Sequence, residues 1–282
     1  MALLDEKVAI ITGGANGIGL AIAQKFAAEG ATPIIADMKA PAEGNFFFVE
    51  TNVTQPASLT NLVDQVVAKY GHIDVLVANA GITEHKGPVS QLDEENWNAV
   101  INVDLNGVVL TNKYVVAQME KQGTPASVIN TSSILGVVGA ANSQAYSAAK
   151  AGVANFTRSQ GVTYAKTKIR FNAIAPGYVN TALSKTLPES VTSTMVERMP
   201  IGRLLEPEEI ANVALFLLST ALTGAVINAD GGYTAQKGKS WRDVDSHQLF
   251  LIKKVPQGTP LNRFGWLEST NGTRLNHLMA LL

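Results

Sequence analysis

Seven short runs of β-branched and other apolar residues punctuate the chain at positions 8–12, 32–36, 46–50, 75–79, 127–131, 169–174 and 225–228. Each is nearly continuous in its apolar character rather than alternating, the pattern of strands buried on both faces. Between them the apolar spacing turns helical, at 18–29, 56–70, 94–121, 143–166 and 207–219. The last of these opens on Pro207, Glu208 and Glu209. A proline suits the first turn, where its missing N–H has no helical partner to lose, and carboxylates there meet the positive end of the helix dipole. Strand and helix alternate throughout, which predicts an α/β fold: a doubly wound, mostly parallel seven-stranded sheet with helices on both faces, Rossmann-like, joined by right-handed crossovers. Ligands of such sheets bind beyond the carboxyl ends of the strands.

The alternation stops near residue 235. Residues 236–282 carry seven Lys and Arg against three Asp and Glu, while residues 1–235 carry fifteen against twenty. Beyond the boundary only a short strand at 249–254 and a Pro/Gly-rich stretch at 256–265 stand out. The chain thus divides into a domain at 1–235 and an irregular C-terminal extension at 236–282. The extension reads either as an arm that packs on a neighbouring subunit or as sequence without selected function.

A chain of 282 residues can bury a large core, since about 75% of the extended surface is lost at this size. With 46% hydrophobic and 16% charged residues it reads as globular rather than disordered. A net charge of −1 gives no attraction to nucleic acid or an anionic membrane. No cysteine is present, which removes disulfides and thiolate metal sites and fits a reducing compartment. His72, His85, His247 and His277 lack metal-ligand spacing, so no metal is assigned. No apolar run approaches the roughly 20 residues of a membrane span, and the start, Met1-Ala-Leu-Leu-Asp-Glu-Lys7, lacks the basic-then-apolar order of a signal peptide. These features together read as cytoplasmic.

The chemistry lies at the strand ends. Thr12-Gly-Gly-Ala-Asn-Gly-Ile-Gly19 follows the first strand; its glycines allow a tight strand-to-helix turn and let a pyrophosphate approach the backbone at a helix N-terminus. Gly13, Asn16, Gly17, Ile18 and Gly19 are the candidate contacts. Asp37 ends the second strand about 20 residues later, where a carboxylate can accept both hydroxyls of an adenosine ribose and repel a 2′-phosphate. Asn16 occupies the turn position that would otherwise hold a cationic phosphate clamp. Both point to NAD rather than NADP. Asn52 and Val53 follow the third strand, where an amide can meet the adenine edge, although a lone loop Asn carries no such meaning. Asn79-Ala80-Gly81 closes the fourth strand with small residues, as a close backbone approach to a cofactor requires. Pro176, Gly177, Val179 and Thr181 form an irregular turn after the sixth strand whose backbone and hydroxyl can hold a carboxamide.

Thirteen residues before Tyr146 stands Ser133, and four after it stands Lys150. A Tyr and a Lys four apart share one helix face, so the ammonium can ease formation of the phenolate. A phenol with an ordinary pKa of about 10 then becomes a usable acid or base near neutrality, and Ser133 can hold the reacting oxygen. Asn102 lies inside a helical pattern, where a buried Asn needs a reason: it holds a water and shapes the site, or it merely bends the helix.

In their order and spacing these motifs, with Asp230-Gly-Gly232 closing the pattern, make residues 5–235 resemble the short-chain dehydrogenases/reductases. The resemblance implies a catalytic tetrad. Tyr146 is its general acid/base, Ser133 orients the substrate oxygen, Lys150 holds the cofactor ribose and lowers the pKa of Tyr146, and Asn102 anchors a water in the proton relay. It also implies NAD as cofactor, a small-molecule substrate and a homo-oligomer, a dimer or homotetramer. Two features depart from the pattern: Asn52 stands where many members have Asp, and residues 236–282 lie beyond the family's usual end. The expected activity is NAD-dependent oxidoreduction of a small uncharged secondary alcohol or ketone. A 3-oxoacyl-[acyl-carrier-protein] reductase, a sugar dehydrogenase and a non-catalytic NAD sensor are the alternatives. The expected lid, residues 180–205, presents Leu183, Leu187, Val191, Met195 and Met199, and the wall after Ser133 presents Leu135, Val137 and Val138. Such a stripe forms an apolar pocket, core or a subunit interface. An acidic carrier would need a basic patch, hinted at by Lys166, Lys168 and Arg170.

Overall fold

The apolar runs become seven parallel strands in the computed structural model of the protein, which describes residues 3–236. They are β1 (Val8–Thr12), β2 (Thr32–Asp37), β3 (Phe47–Glu50), β4 (Val75–Ala78), β5 (Ala126–Thr131), β6 (Ile169–Pro176) and β7 (Val226–Ala229). They form one sheet in the order β3-β2-β1-β4-β5-β6-β7. Every neighbouring pair is parallel, a stricter pattern than expected. The order reverses between β1 and β4, and a crevice opens there beyond the strand ends.

Helices α1 (Gly17–Ala28), α2 (Pro56–Tyr70), α3 (Glu94–Ile101), α4 (Val108–Gln122), α5 (Ala145–Thr163), α6 (Ala182–Lys185), α7 (Glu189–Glu197) and α8 (Pro207–Phe216) supply the connections and the lid. Successive strand side chains point to opposite faces, which explains why the runs are apolar throughout. Ile10, Leu76 and Val128 pack under Leu59, Leu62, Val115 and Met119 of α2 and α4. Their neighbours Ile11, Val77 and Ile129 pack under Ile22 and Phe26 of α1 and Ile210 of α8. Pro56 opens α2 at its first turn, and Gly71 closes it at φ 82°.

The single helix expected at 94–121 is two helices joined by a wide π-helical turn, Asn102–Gly107. A Cβ at Gly107 would stand 2.7 Å from Val53 Cγ2, so the absence of a side chain lets this turn press onto the loop after β3. A π turn holds an extra residue and shifts every side chain after it around the axis, with consequences for the site. No helix among the described residues is long and apolar enough to cross a membrane. The extension and the strand expected at 249–254 lie outside the described residues.

Candidate active site

The turn between β1 and α1 is drawn tight by its neighbours. Gly13 has φ +63°, and a Cβ there would lie 2.8 Å from Ala80 Cα; one at Gly19 would collide with the Gly13 carbonyl. Asn79 ties the turn down: its Nδ2 donates to the carbonyls of Thr12 (3.3 Å) and Gly13 (3.1 Å), and its Oδ1 accepts from the Thr131 hydroxyl at 3.3 Å. The N–H groups of Asn79 and Ala80 both donate to Thr12 Oγ1. Asn79 and Ala80 therefore hold the turn in shape through these groups, and Asn79 and Gly81 also line the cavity of the site. Asn16 caps α1 in extended conformation without a side-chain hydrogen bond, leaving the first-turn N–H groups of Gly17, Ile18 and Gly19 unshadowed. Asp37 ends β2 beside this turn, its carboxylate accepting the Ala15 N–H at 3.0 Å. Side-chain-free backbone at a helix N-terminus beside a strand-end carboxylate fits a dinucleotide.

Asn52 and Val53 are less direct. The Asn52 side-chain oxygen Oδ1 accepts from the N–H and hydroxyl of Thr54, closing its own loop, and Val53 is buried against Gly107. Neither lines the crevice.

Ser133, Tyr146 and Lys150 converge on one cavity of about 580 Å³. Ser133 follows β5 and caps a short 3₁₀ turn; its Oγ accepts the Leu135 N–H at 3.2 Å, which leaves the hydroxyl proton free to donate elsewhere. Tyr146 and Lys150 lie one turn apart on α5, with Lys150 Nζ 5.4 Å from the Tyr146 ring centre. Glu84, from the loop after β4, caps this helix: its Oε2 accepts the N–H groups of Gln144 (3.1 Å) and Tyr146 (3.0 Å). Lys150 is almost fully buried, and its ammonium donates to the Thr131 carbonyl at 3.1 Å.

Asn102 is not brought to this cluster. It is exposed and does not line the cavity. Asp104, two residues on and 0% exposed, does so instead. Residues two apart on a helix point to nearly opposite sides, and Asp104 stands four residues from buried Val100 and Val108 while Asn102 lies on the exposed face. Asp104 Oδ1 accepts the Ile82 N–H at 2.8 Å, and Oδ2 lies 3.2 Å from Lys150 Nζ. That approach is an ion pair rather than an aligned hydrogen bond, since Oδ2 has no well-directed donor. Burial raises the Asp104 carboxyl above its ordinary pKa, against the pull of the Lys150 charge and the Ile82 N–H. Burial presses the Lys150 ammonium down, but the charges of Tyr146 and Asp104 outweigh it and hold the group above its ordinary value.

Pro176, Gly177, Val179 and Thr181 all line the cavity. Thr181 reaches across to within about 3.4 Å of the Cβ position at Gly17, joining the β6 turn to the glycine turn. The lid resolves into α6 and α7. Leu187 and Met195 line the cavity, whereas Met199 is buried in the core and Val191 is exposed. Of the expected wall, Leu135 contributes, while Val137 is exposed and Val138 does not line the cavity. Glu84 and Lys86 also line it, so the wall is not purely apolar as expected. Of the hinted basic patch, Lys166 and Lys168 are exposed and Arg170 is half-buried. Arg170 donates to the carbonyls of Leu217, Leu218 and Leu222, and Lys168 donates to the Gly123 carbonyl.

Sequence reasoning missed Asp104 and Glu84. Asp104 had a signal: Val100, Asp104 and Val108 stand four apart and are all buried, so a carboxylate sits in an apolar stripe. Glu84, in an irregular loop, had none.

Residues 13–234 match the family described as enoyl-(acyl carrier protein) reductase. The chain is 48% identical over 243 residues to cis-4-hydroxycyclohexanecarboxylate dehydrogenase of Sinomonas cyclohexanicum, covering 82% of this chain and 97% of that protein. It is 43% identical to a 3-oxoacyl-[acyl-carrier-protein] reductase of Thermotoga maritima, over 81% of this chain and 98% of that one. Among solved structures, the aldohexose dehydrogenase of Thermoplasma acidophilum superposes with a TM-score of 0.79 at 31% identity, covering 85% of this chain and 98% of that one. With the parallel sheet, the glycine turn and the Ser-Tyr-Lys cluster, these similarities show that the chain belongs to the short-chain dehydrogenase/reductase family, oxidoreductases built on a dinucleotide-binding Rossmann fold.

Proposed function

We propose that the protein is an NAD-dependent oxidoreductase that interconverts a small secondary alcohol and its ketone. The observation that carries this reading is the convergence of Ser133, Tyr146 and Lys150 on a cavity that also adjoins the glycine turn. When bound, NAD supplies the hydride acceptor or donor. The first turn of α1, Asp37, Lys150 and the turn from Pro176 to Thr181 would hold it. The Ser133 hydroxyl donates to the substrate oxygen and fixes its place. Tyr146 takes the alcohol proton during oxidation, or gives one to the oxygen during reduction. Lys150, one turn along α5 with its ammonium beside the ring, favours the phenolate formed in this exchange. Leu187 and Met195 of the lid cover the substrate and exclude water. A panel of small alcohols, ketones, acetoacetyl thioesters and sugars, each with NAD(H), tests the reading; absence of turnover throughout would favour a nucleotide sensor.

A second reading of the substrate rests on Lys86, a cavity-lining ammonium with no ion pair or hydrogen bond among the described residues. It suits an alicyclic alcohol bearing a carboxylate, the chemistry named in the Sinomonas relative. A lower KM for 4-hydroxycyclohexanecarboxylate than for cyclohexanol, lost in Lys86→Ala, is the expected sign.

NAD is the proposed cofactor because the Asp37 carboxylate would face a 2′-phosphate with like charge. Asp37→Ala should narrow the kcat/KM preference for NAD over NADP on the order of tenfold, about 1.4 kcal/mol. An unchanged ratio would move the discrimination elsewhere.

Residues 1–235 are proposed to suffice for this activity. The last described turn, Tyr233–Ala235, is already tied into the domain: Asp230 accepts the Gly232 and Thr234 N–H groups, and Gln236 donates to the Arg198 carbonyl at 3.0 Å. A chain ending at Gln236 should bind NAD and turn over at close to the full-length rate. Loss of folding on truncation would make the extension structural.

A further inference from the structure

Asp104 lies in no role assigned so far, yet it is a buried charge at the centre of the site. A carboxylate taken out of water costs several kcal/mol unless it is paired and hydrogen-bonded. Here Oδ1 meets the Ile82 N–H at 2.8 Å and Oδ2 meets Lys150 Nζ at 3.2 Å, with both residues almost fully buried. The Tyr146 ring centre stands 5.4 Å from the same Nζ. Carboxylate, ammonium and phenol are therefore neighbours at one wall of the cavity. The other charged group acting on it is Glu84, whose anion pushes the Asp104 carboxyl further up. Thr131 and Ile82 contribute backbone atoms alone, and Lys86 lines the outer wall.

Resting on the alcohol/ketone reading above, we propose that Asp104 is a positioning residue of the reaction: it keeps Lys150 charged in its buried place and offsets part of the positive charge that Tyr146 feels. The ion pair, rather than Lys150 alone, then sets the pH at which Tyr146 exchanges its proton. Asn102, which the family resemblance implied for the tetrad, is exposed and does not line the cavity. An amide at position 104 would preserve the bond to Ile82 but not the charge. Removal of an anion beside two acids lets both release their protons at lower pH. An opposite charge within about 4–6 Å shifts a pKa by roughly 1–3 units, which sets the size to expect.

Two measurements test this. In the first, lysine labelled with ¹³C at Cε is followed by NMR in the substrate-free full chain, with the Lys150 signal assigned by its loss in Lys150→Arg. The wild-type signal should stay that of the charged form past the ordinary lysine range of about 10.4, and in Asp104→Asn it should titrate lower by about one unit or more. Titration of wild-type Lys150 below the ordinary range overturns the proposal even if Asp104→Asn does not fold. In the second, the rising limb of kcat/KM against pH for alcohol oxidation should move to lower pH by about one unit in Asp104→Asn. An unmoved limb with wild-type kcat would reduce Asp104 to a structural group. Failure of the functional reading shows itself separately, as a wild-type protein that turns over no alcohol or ketone while its Lys150 titration is as described.

Discussion

Replacing Tyr146 with Phe should reduce turnover by about 10² to 10⁴-fold, the usual worth of a general acid/base, while leaving the fold and cofactor affinity intact. The substitution removes one oxygen and its proton. The link that anchors Tyr146 to the rest of the site runs through its backbone, the N–H donating to Glu84 Oε2 at 3.0 Å, and survives the change. The ring still lines the cavity and still lies against Lys150. NADH fluorescence titration should therefore return a dissociation constant within about twofold of wild type, a change of roughly 0.4 kcal/mol, and the thermal midpoint should hardly move. If the variant kept more than about a tenth of the wild-type rate, the proton would travel by another group, of which Ser133 is the nearest in role.

The architecture was legible because the sheet is buried on both sides. Ile10 faces one helical layer and Ile11 the other, so the strands wrote themselves as unbroken apolar runs. Pro56 and Pro207 marked helix starts that the structure keeps. The cofactor turn was legible for a similar reason: steric closeness at Gly13 and Gly19 admits no side chain, and that leaves a mark in composition. What failed was the assignment inside residues 94–121, since counting at 3.6 residues per turn assumes an unbroken α-helix. The π turn divides the expected helix in two, and Asp104 rather than Asn102, the residue the family resemblance implied, is the inward group. The Val100-Asp104-Val108 stripe, at ordinary helical spacing, marked Asp104 as inward. The lid shows another limit. Leu187, Val191, Met195 and Met199 read as one stripe, yet they end up in the cavity, in solvent and in the core, because only Val191 and Met195 share a helix, Leu187 lying before α7 and Met199 beyond its end.

Lys150→Met should abolish activity and also destabilise the domain, and the two losses should come apart in a double variant. Methionine nearly fills the lysine's volume but leaves the Asp104 carboxylate buried, with the Ile82 N–H as its remaining polar contact. Breaking a buried pair in this way typically costs about 3–5 kcal/mol, which in a domain of this size lowers the thermal midpoint by roughly 10 °C. Adding Asp104→Asn removes the stranded charge, and its amide oxygen can still accept the Ile82 N–H. Replacement of both members of a buried pair by neutral groups is often close to neutral for stability, so the double variant should melt near the wild type. The stability effects of the two substitutions should then be strongly non-additive, as expected for residues in direct contact. Activity should not return, because the double variant has no ammonium beside Tyr146 to favour the phenolate. If the double variant instead melted at the sum of the two single losses, Lys150 and Asp104 would not be energetically coupled, and the 3.2 Å separation would be proximity without pairing.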